Sequence, residues 1–290
     1  MPPARLLALY LCWGASVPAM KVMVETIPPL GGSAVVFLAG AGIVGTLAGG
    51  RRGATGPELR RAALTGVLLL GGQGMATVAL TELSASLTAI LAASNALWAA
   101  VFARIAGIPM TRATVLRLVL GFAGIAIVVL SAPDAAVGGS TLAVAAALGS
   151  SVLWGLGTVV AAHGGALPRD PLVAGTAQLL AGGLLLLVLA AVAGQLAPSA
   201  WEDASARSAG AAVFLLAFDS LAGFLLYTSL LRDKPIGLVG TYAYVVPLIA
   251  VALGVVALGD HVSAGAAVGA AVAMAAVTAQ LRAVPPTARR

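Results

Sequence analysis

Apolar residues run along this chain in blocks of about twenty, parted by short polar breaks, and about twenty apolar residues are what a bilayer core takes as a helix. The pattern predicts ten helical spans, at 6–24, 30–49, 61–81, 84–104, 113–131, 141–162, 170–193, 208–230, 236–258 and 262–282. Two divisions are thin. The run 61–105 is interrupted only around Thr81, Glu82 and Ser84, and the run 236–282 only at Gly259, Asp260 and His261. Neither run can cross as one helix, because each is far longer than a bilayer is thick. With mostly short connections, consecutive spans should lie antiparallel, as an all-α integral membrane protein of ten transmembrane helices.

Charge gives the spans a direction. If the N-terminus is cytoplasmic, one face collects Arg5, Arg51, Arg52, Arg60, Arg61, Arg104, Arg112, Arg117, Arg169, Arg232, Lys234, Arg282, Arg289 and Arg290, and the other only Lys21 and Arg207. That asymmetry is the positive-inside bias of a multi-pass protein with both termini in the cytoplasm. The excess of Arg over Lys, with abundant Ala and Gly, suggests a bacterial source, hence the cytoplasmic (inner) membrane. Arg5 followed by an apolar stretch resembles a signal peptide. The stretch continues to Lys21, however, and is read as the first span.

Composition narrows the function classes. The chain is 60 % hydrophobic and 9 % charged, against about 25 % charged in soluble domains, which excludes a water-soluble globule and a disordered chain. The +6 net charge forms no continuous patch, so nucleic acid is not an expected partner. Cys12 is the lone cysteine, leaving no disulfide framework and no cysteine metal site.

Trp13-Gly14 near the middle of the first span recurs as Trp154-Gly155 at the same depth of the sixth. Five spans separate the two, and an odd repeat unit forces the halves into opposite orientations, the inverted-repeat plan of many secondary transporters. The expected division is a first five-helix repeat at 1–135, a second at 136–283 and a short cytoplasmic tail at 284–290.

Further residues resemble a known family. Leu11-Cys12-Trp13-Gly14 through Lys21, Ile27-Pro28-Pro29, Trp154-Gly155, Gln178, the run Ala217 to Leu231, and Tyr244-Val245-Val246-Pro247 leading to Leu258-Gly259-Asp260 are similar, in order and spacing, to an EamA-type member of the drug/metabolite transporter superfamily. The resemblance covers nearly the whole chain and implies ten spans in two inverted repeats, with export or exchange of a small metabolite. The first half departs from the pattern. Asn95 stands where the family has a mid-helix proline, Arg104-Ile105-Ala106-Gly107 replaces Leu-Gly-Glu, and Val36 takes the place of an arginine.

Polar groups at membrane depth are costly and ask for a reason. Asp219 lies at the middle of the eighth span, where an aspartate costs about 2.5–3.5 kcal/mol on insertion scales. It is the candidate for proton coupling; the structural alternative is an acid that locks helices together through Gln73, Asn95 or Tyr227. Gln73, Asn95 and Gln178 are substrate-cavity candidates or interhelical staples. Trp13, Trp98, Trp154, Tyr227, Tyr242 and Tyr244 are candidates for the walls of an amphipathic cavity, or plain packing. Pro18 and Pro247 are helix-break candidates, since proline removes a backbone hydrogen bond. Lys21 and Glu25 have the spacing of an ion pair, and Trp201 is read as an interfacial anchor.

Other classes fare worse. No Walker loop is present, and His163 and His261 fall on opposite faces, so no catalytic residue, metal or cofactor is expected. The expectation is a secondary transporter, an exporter of a small metabolite, amino acid or amphipathic drug-like molecule by alternating access. A channel or facilitative pore, or a non-transport scaffold, are the alternatives. The partners are a small-molecule substrate and the bilayer, and the patterns Gly45-x-x-x-Gly49 and Gly265-x-x-x-Gly269 leave a homodimer open.

Overall fold

The computed structural model describes residues 4–50, 53–108, 111–131, 140–163, 165–233 and 242–282. The repeat junction at 135/136, the tail 284–290, Arg51, Arg52 and Lys234 lie outside them, as does the side chain of Tyr244. The described elements are helical: α1 (Ala4–Met23), α2 (Pro29–Ala48), α3 (Gly56–Ala79), α4 (Ala85–Ala92), α5 (Asn95–Ile105), α6 (Arg112–Ser131), α7 (Thr141–His163), α8 (Pro171–Val192), α9 (Ala206–Phe214), a π-helical segment (Leu215–Gly223), α10 (Phe224–Asp233), α11 (Tyr242–Leu258) and α12 (Ala264–Arg282). Joining α4 with α5, and α9 with the π segment and α10, gives ten spans. Seven are long and apolar enough among the described residues to cross a membrane, and Val245–Leu258 and Ala264–Ala276 are shorter apolar stretches.

Local chemistry sets the ends. α3 starts five residues before the apolar run because Thr55 and Glu58 form a capping box: the Glu58 N–H donates to the Thr55 hydroxyl at 3.4 Å, and the Thr55 N–H donates to the Glu58 carboxylate at 2.6 Å. Asp170 caps α8 by accepting the Leu172 N–H at 2.8 Å. α2 ends at Gly49, whose φ of 56° is a left-handed helix cap. Gly49 is thus half of an expected packing motif but serves as a terminus, while Gly45 packs on Thr176 within the chain.

Two spans depart from a plain helix. The fourth, expected as one helix over 84–104, breaks at Ala93-Ser94, immediately before Asn95. The carbonyl of Leu91 accepts the hydroxyls of Ser94 at 2.8 Å and Ser151 at 3.1 Å. Serine hydroxyls satisfy the backbone here, so the break stands without the family's proline. The eighth span opens into nine π-helical residues around Asp219.

Packing repeats itself when each span is exchanged for the one five further on. The first packs on the ninth as the sixth packs on the fourth, and the third packs on the sixth as the eighth packs on the first. The pairs two–seven, four–nine and five–ten map onto themselves. The Trp-Gly repeat has a cause in this arrangement. A Cβ on Gly14 would sit 2.5 Å from Ile249 of the ninth span, and one on Gly155 would sit 2.8 Å from Trp98 of the fourth. Equivalent glycines admit equivalent helices, and the helices are then closer than any side chain allows.

Ties across the helix ends define two faces. On one, Arg61 of α3 donates to the Val160 carbonyl near the end of α7, and Arg5, Arg60, Arg104, Arg112, Arg169 and Arg282 sit at helix ends or loops on the same side. On the other, Lys21 donates to the Leu80 carbonyl at 2.7 Å, Arg207 pairs with Glu25 at 3.2 Å, and the Ser86 N–H donates to Asp260 at 2.7 Å. The expected Lys21–Glu25 pair is replaced by these two partners. Trp201 donates to the Gln195 carbonyl at 2.7 Å, and Gln195 accepts the Leu30 and Gly31 N–H groups at the start of α2. Trp201 therefore helps to cap a helix. Large apolar side chains such as Val35, Leu47, Val188 and Val256 are exposed around the outside, as lipid contact requires.

Candidate functional site

Asp219 is buried within the π segment, 7 % exposed. Gln73 of α3 donates to its carboxyl at 2.7 Å, one of the partners its depth allowed. One turn further along α3, Thr77 donates its hydroxyl to the Gln73 backbone carbonyl at 2.8 Å and accepts from Ser33 of α2 at 3.3 Å. A π turn shifts the helical register and commonly marks functional positions. Here it widens the backbone where a buried acid meets the opposite repeat.

One turn away, the two equivalent tryptophans meet. Trp13 and Trp154 stand edge to face at 6.0 Å between ring centroids. Trp13 also contacts Tyr227 at 5.0 Å and Tyr242 at 5.1 Å, and the Trp154 indole N–H donates to the Tyr242 hydroxyl at 3.1 Å. Tyr227 and Tyr242 are 5.7 Å apart. Each such ring pair contributes about 0.5–1.5 kcal/mol beyond its area, so the four rings form a cohesive cluster where Trp13 of the first repeat meets three rings of the second.

Cavities lie on either side of the rings. A mid-membrane pocket of about 120 Å³ is lined by Trp13, Ser16, Gln73, Asn95, Ser150, Trp154, Asp219 and Tyr242. A larger cavity of about 440 Å³, towards the arginine-rich face, is lined by Thr65, Thr158, Arg169, Gln178 and Tyr227. Small-molecule sites run from about 300 to 1,000 Å³, so the larger cavity has room for a metabolite and the pocket only for part of one. Gln178 is 4 % exposed, and its carbonyl oxygen has no partner among the described residues. Asn95 lines the pocket and an adjoining void of about 60 Å³ that also reaches Pro247.

The expected site residues therefore divide. Trp13, Gln73, Asn95, Trp154, Asp219 and Tyr242 share the pocket, and Gln178 and Tyr227 line the larger cavity. Trp98 belongs to neither. It packs on Phe122 of α6 at 5.1 Å and on Phe102, one turn further along its own helix, at 6.3 Å. Pro18 lies buried inside a continuous α1, and Pro247 likewise does not break α11. Thr65, Thr158 and Arg169 were not singled out by the sequence. Helical spacing carried a signal for two of them: Thr65 precedes Gln73 by eight residues, and Thr158 follows Trp154 by four, each pair on one helix face.

The arrangement is that of a helical membrane protein with two inverted repeats around a mid-membrane pocket. The chain matches the EamA-like transporter family twice, over residues 5–130 and 141–281, and it belongs to that family as a membrane transporter. It is 32 % identical over 254 residues to a protein described as the uncharacterized inner membrane transporter YedA, found alike in three strains of Escherichia coli; the match covers 86 % of this chain and 80 % of the relative. A solved crystal structure superposes with a TM-score of 0.65 at 23 % identity, covering 96 % of each chain, which shows the same fold.

Proposed function

We propose that this chain is a secondary transporter of the bacterial inner membrane that exports a small amphipathic solute by alternating access, with proton gain and loss on Asp219 as the coupling step. The observation that carries the proposal is the sequence of spaces along the axis: a solute-sized cavity towards the arginine-rich face, a four-ring barrier, and a smaller pocket holding Asp219 and Gln73. The positive-inside bias makes the arginine-rich face, and with it both termini, cytoplasmic. The inner membrane location follows the description of the YedA relative. The wide cavity then loads from the cytoplasm, and the ties of Lys21, Arg207 and Asp260 close the other face.

The walls favour amphipathic molecules, among them amino acids and drug-like metabolites. Aromatic and aliphatic groups line both spaces, and the polar contacts are mostly neutral: the hydroxyls of Thr65, Thr158, Ser16 and Ser150 and the amides of Gln178, Asn95 and Gln73, with Asp219 in the pocket and Arg169 in the larger cavity as the charged ones. Opening one space to the other requires the rings of Trp13, Trp154, Tyr227 and Tyr242 to part, and rocking of two similar halves about the axis parts the equivalent tryptophans. A barrier of this kind supports a carrier over an open pore.

The test is reconstitution into liposomes and efflux of a metabolite panel, with and without an imposed pH gradient. Saturable flux with countertransport, accelerated by the gradient in the native chain but not in Asp219→Asn, is the expected result. Unitary conductance would replace the carrier with a channel. Unchanged gradient dependence in Asp219→Asn would remove the coupling role.

A further inference from the structure

The fifth and tenth spans, α6 and α12, pack chiefly on each other at the edge of the molecule. They are tightly joined at one end and along the middle. A Cβ on Gly265 would sit 2.4 Å from Ser131, the Ser263 hydroxyl donates to the Ser131 carbonyl at 3.1 Å, and a Cβ on Gly124 would sit 2.7 Å from the Gly269 carbonyl. The Gly265-x-x-x-Gly269 face is therefore occupied within the chain. Towards the arginine-rich face the two helices leave an open groove of about 600 Å³, floored by Ala275, Thr278 and Ala279 and flanked by Arg117 and Arg282.

The exchange of repeats maps this helix pair onto itself in inverted orientation, so symmetry alone would treat its two ends alike. They differ: one end is closed by glycine contact, the other is open and carries two guanidinium groups. Neither arginine has an acidic partner among the described residues. Leu116 and Leu120, which flank Arg117 on α6, are exposed on the outside of the molecule, and Arg117 in the second turn of α6 and Arg282 as the last residue of α12 lie near the depth of the headgroups.

We propose that this groove binds the headgroup of an anionic phospholipid, with Arg117 and Arg282 holding its phosphodiester and the small residues admitting the glycerol and upper acyl chain. Charge complementarity selects the occupant: two cations without an acidic partner among the described residues, beside a floor of small side chains, fit a ligand that is anionic at the interface and apolar below it. Guanidinium groups suit phosphate, which they can grip with paired hydrogen bonds. The site is separate from the transport pocket and does not depend on the solute.

The experiment is native mass spectrometry of the purified full chain titrated with phosphatidylglycerol, phosphatidylcholine or inorganic phosphate. The wild type should retain phosphatidylglycerol in preference to phosphatidylcholine, and inorganic phosphate should not displace it. Each of Arg117→Gln and Arg282→Gln should lower that retention about fivefold, the factor that about 1 kcal/mol per interfacial arginine implies. Arg117→Lys/Arg282→Lys keeps both charges but not the paired hydrogen bonds, and should retain more phosphatidylglycerol than the double glutamine variant and less than the wild type, showing that the fold tolerates change at both positions. Equal retention by the wild type and the double glutamine variant would overturn the proposal. So would displacement by phosphate alone, which makes the groove a free-anion site, or a change in oligomeric state of the glutamine variants by light scattering, which makes it a contact between copies.

Discussion

At residue scale, the contact between Gln73 and Asp219 joins the two repeats at the depth where a polar group is most expensive. Interhelical hydrogen bonds in membranes average about 0.6 kcal/mol and reach about 1.7. A double-mutant cycle of Gln73→Ala and Asp219→Ala, followed by thermal unfolding in detergent, should give a coupling energy in that range. Zero coupling would mean that the 2.7 Å contact adds nothing to stability. The partnership was legible in the sequence, because few polar residues share that depth and Gln73 was one of the three partners it offered. The π turn around Asp219 was not legible. Residues 215–223 keep an apolar helical pattern, and nothing in Leu-Leu-Ala-Phe-Asp-Ser-Leu-Ala-Gly distinguishes a period of 3.6 from the wider turn. Packing against Trp13, which approaches within 2.5 Å of a Cβ built on Gly223, depends on a residue two hundred positions away.

At the scale of elements, close approach by small residues holds the spans together, and it can be tested by contrast. A Cβ on Gly66 would fall 2.2 Å from the Gln178 backbone carbonyl, whereas one on Gly42 would meet nothing within 4 Å. Gly66→Ala should destabilise the protein by about 1–3 kcal/mol, as overpacking does, and Gly42→Ala should leave it unchanged or slightly stabilised; thermal unfolding checks both. A second tie at this scale is set by pH. Ser140's backbone N–H donates to Glu82 at 2.6 Å, and that bond, followed by the Ser140 hydroxyl, holds the Glu82 carboxyl below the usual glutamate value. A carboxyl depressed in the folded state contributes stability that is complete above its unfolded value, about 4.3, and is lost as pH falls through the folded one. Glu82→Gln should therefore flatten the acid limb of the thermal stability profile and leave its slope near neutral pH unchanged. Element existence was legible throughout, since the ten apolar blocks and the described helices coincide. Boundaries were less so where polar caps extend a helix beyond its apolar run, as Thr55 and Glu58 do for α3, or where serine hydroxyls allow a break inside one, as at Ser94.

At the scale of the molecule, the exchange of each span with the one five further on turns a short dipeptide coincidence into a mechanism. Trp13-Gly14 and Trp154-Gly155 could be counted in the sequence, but two matching dipeptides among four tryptophans were weak evidence until Gly14 and Gly155 were found to admit equivalent neighbours. The same symmetry makes another imbalance visible: the large cavity lies on the arginine-rich side of the four rings, while Lys21, Glu25, Arg207 and Asp260 are tied across the other. Accessibility should report that imbalance directly. With Cys12→Ala removing the native thiol, a cysteine introduced as Ala161→Cys lines the large cavity, and one introduced as Ser150→Cys lies in the pocket beyond the rings, where the native serine is 6 % exposed. A membrane-impermeant maleimide should label the first in inside-out vesicles but not in intact cells, and should label the second only slowly in either. Labelling of Ala161→Cys in intact cells would reverse the orientation drawn from the arginines. If a transported solute raises the labelling of Ser150→Cys from the opposite face while protecting Ala161→Cys, the rings of the two repeats part in the course of transport, and the pocket holding Asp219 becomes the point at which the solute changes sides.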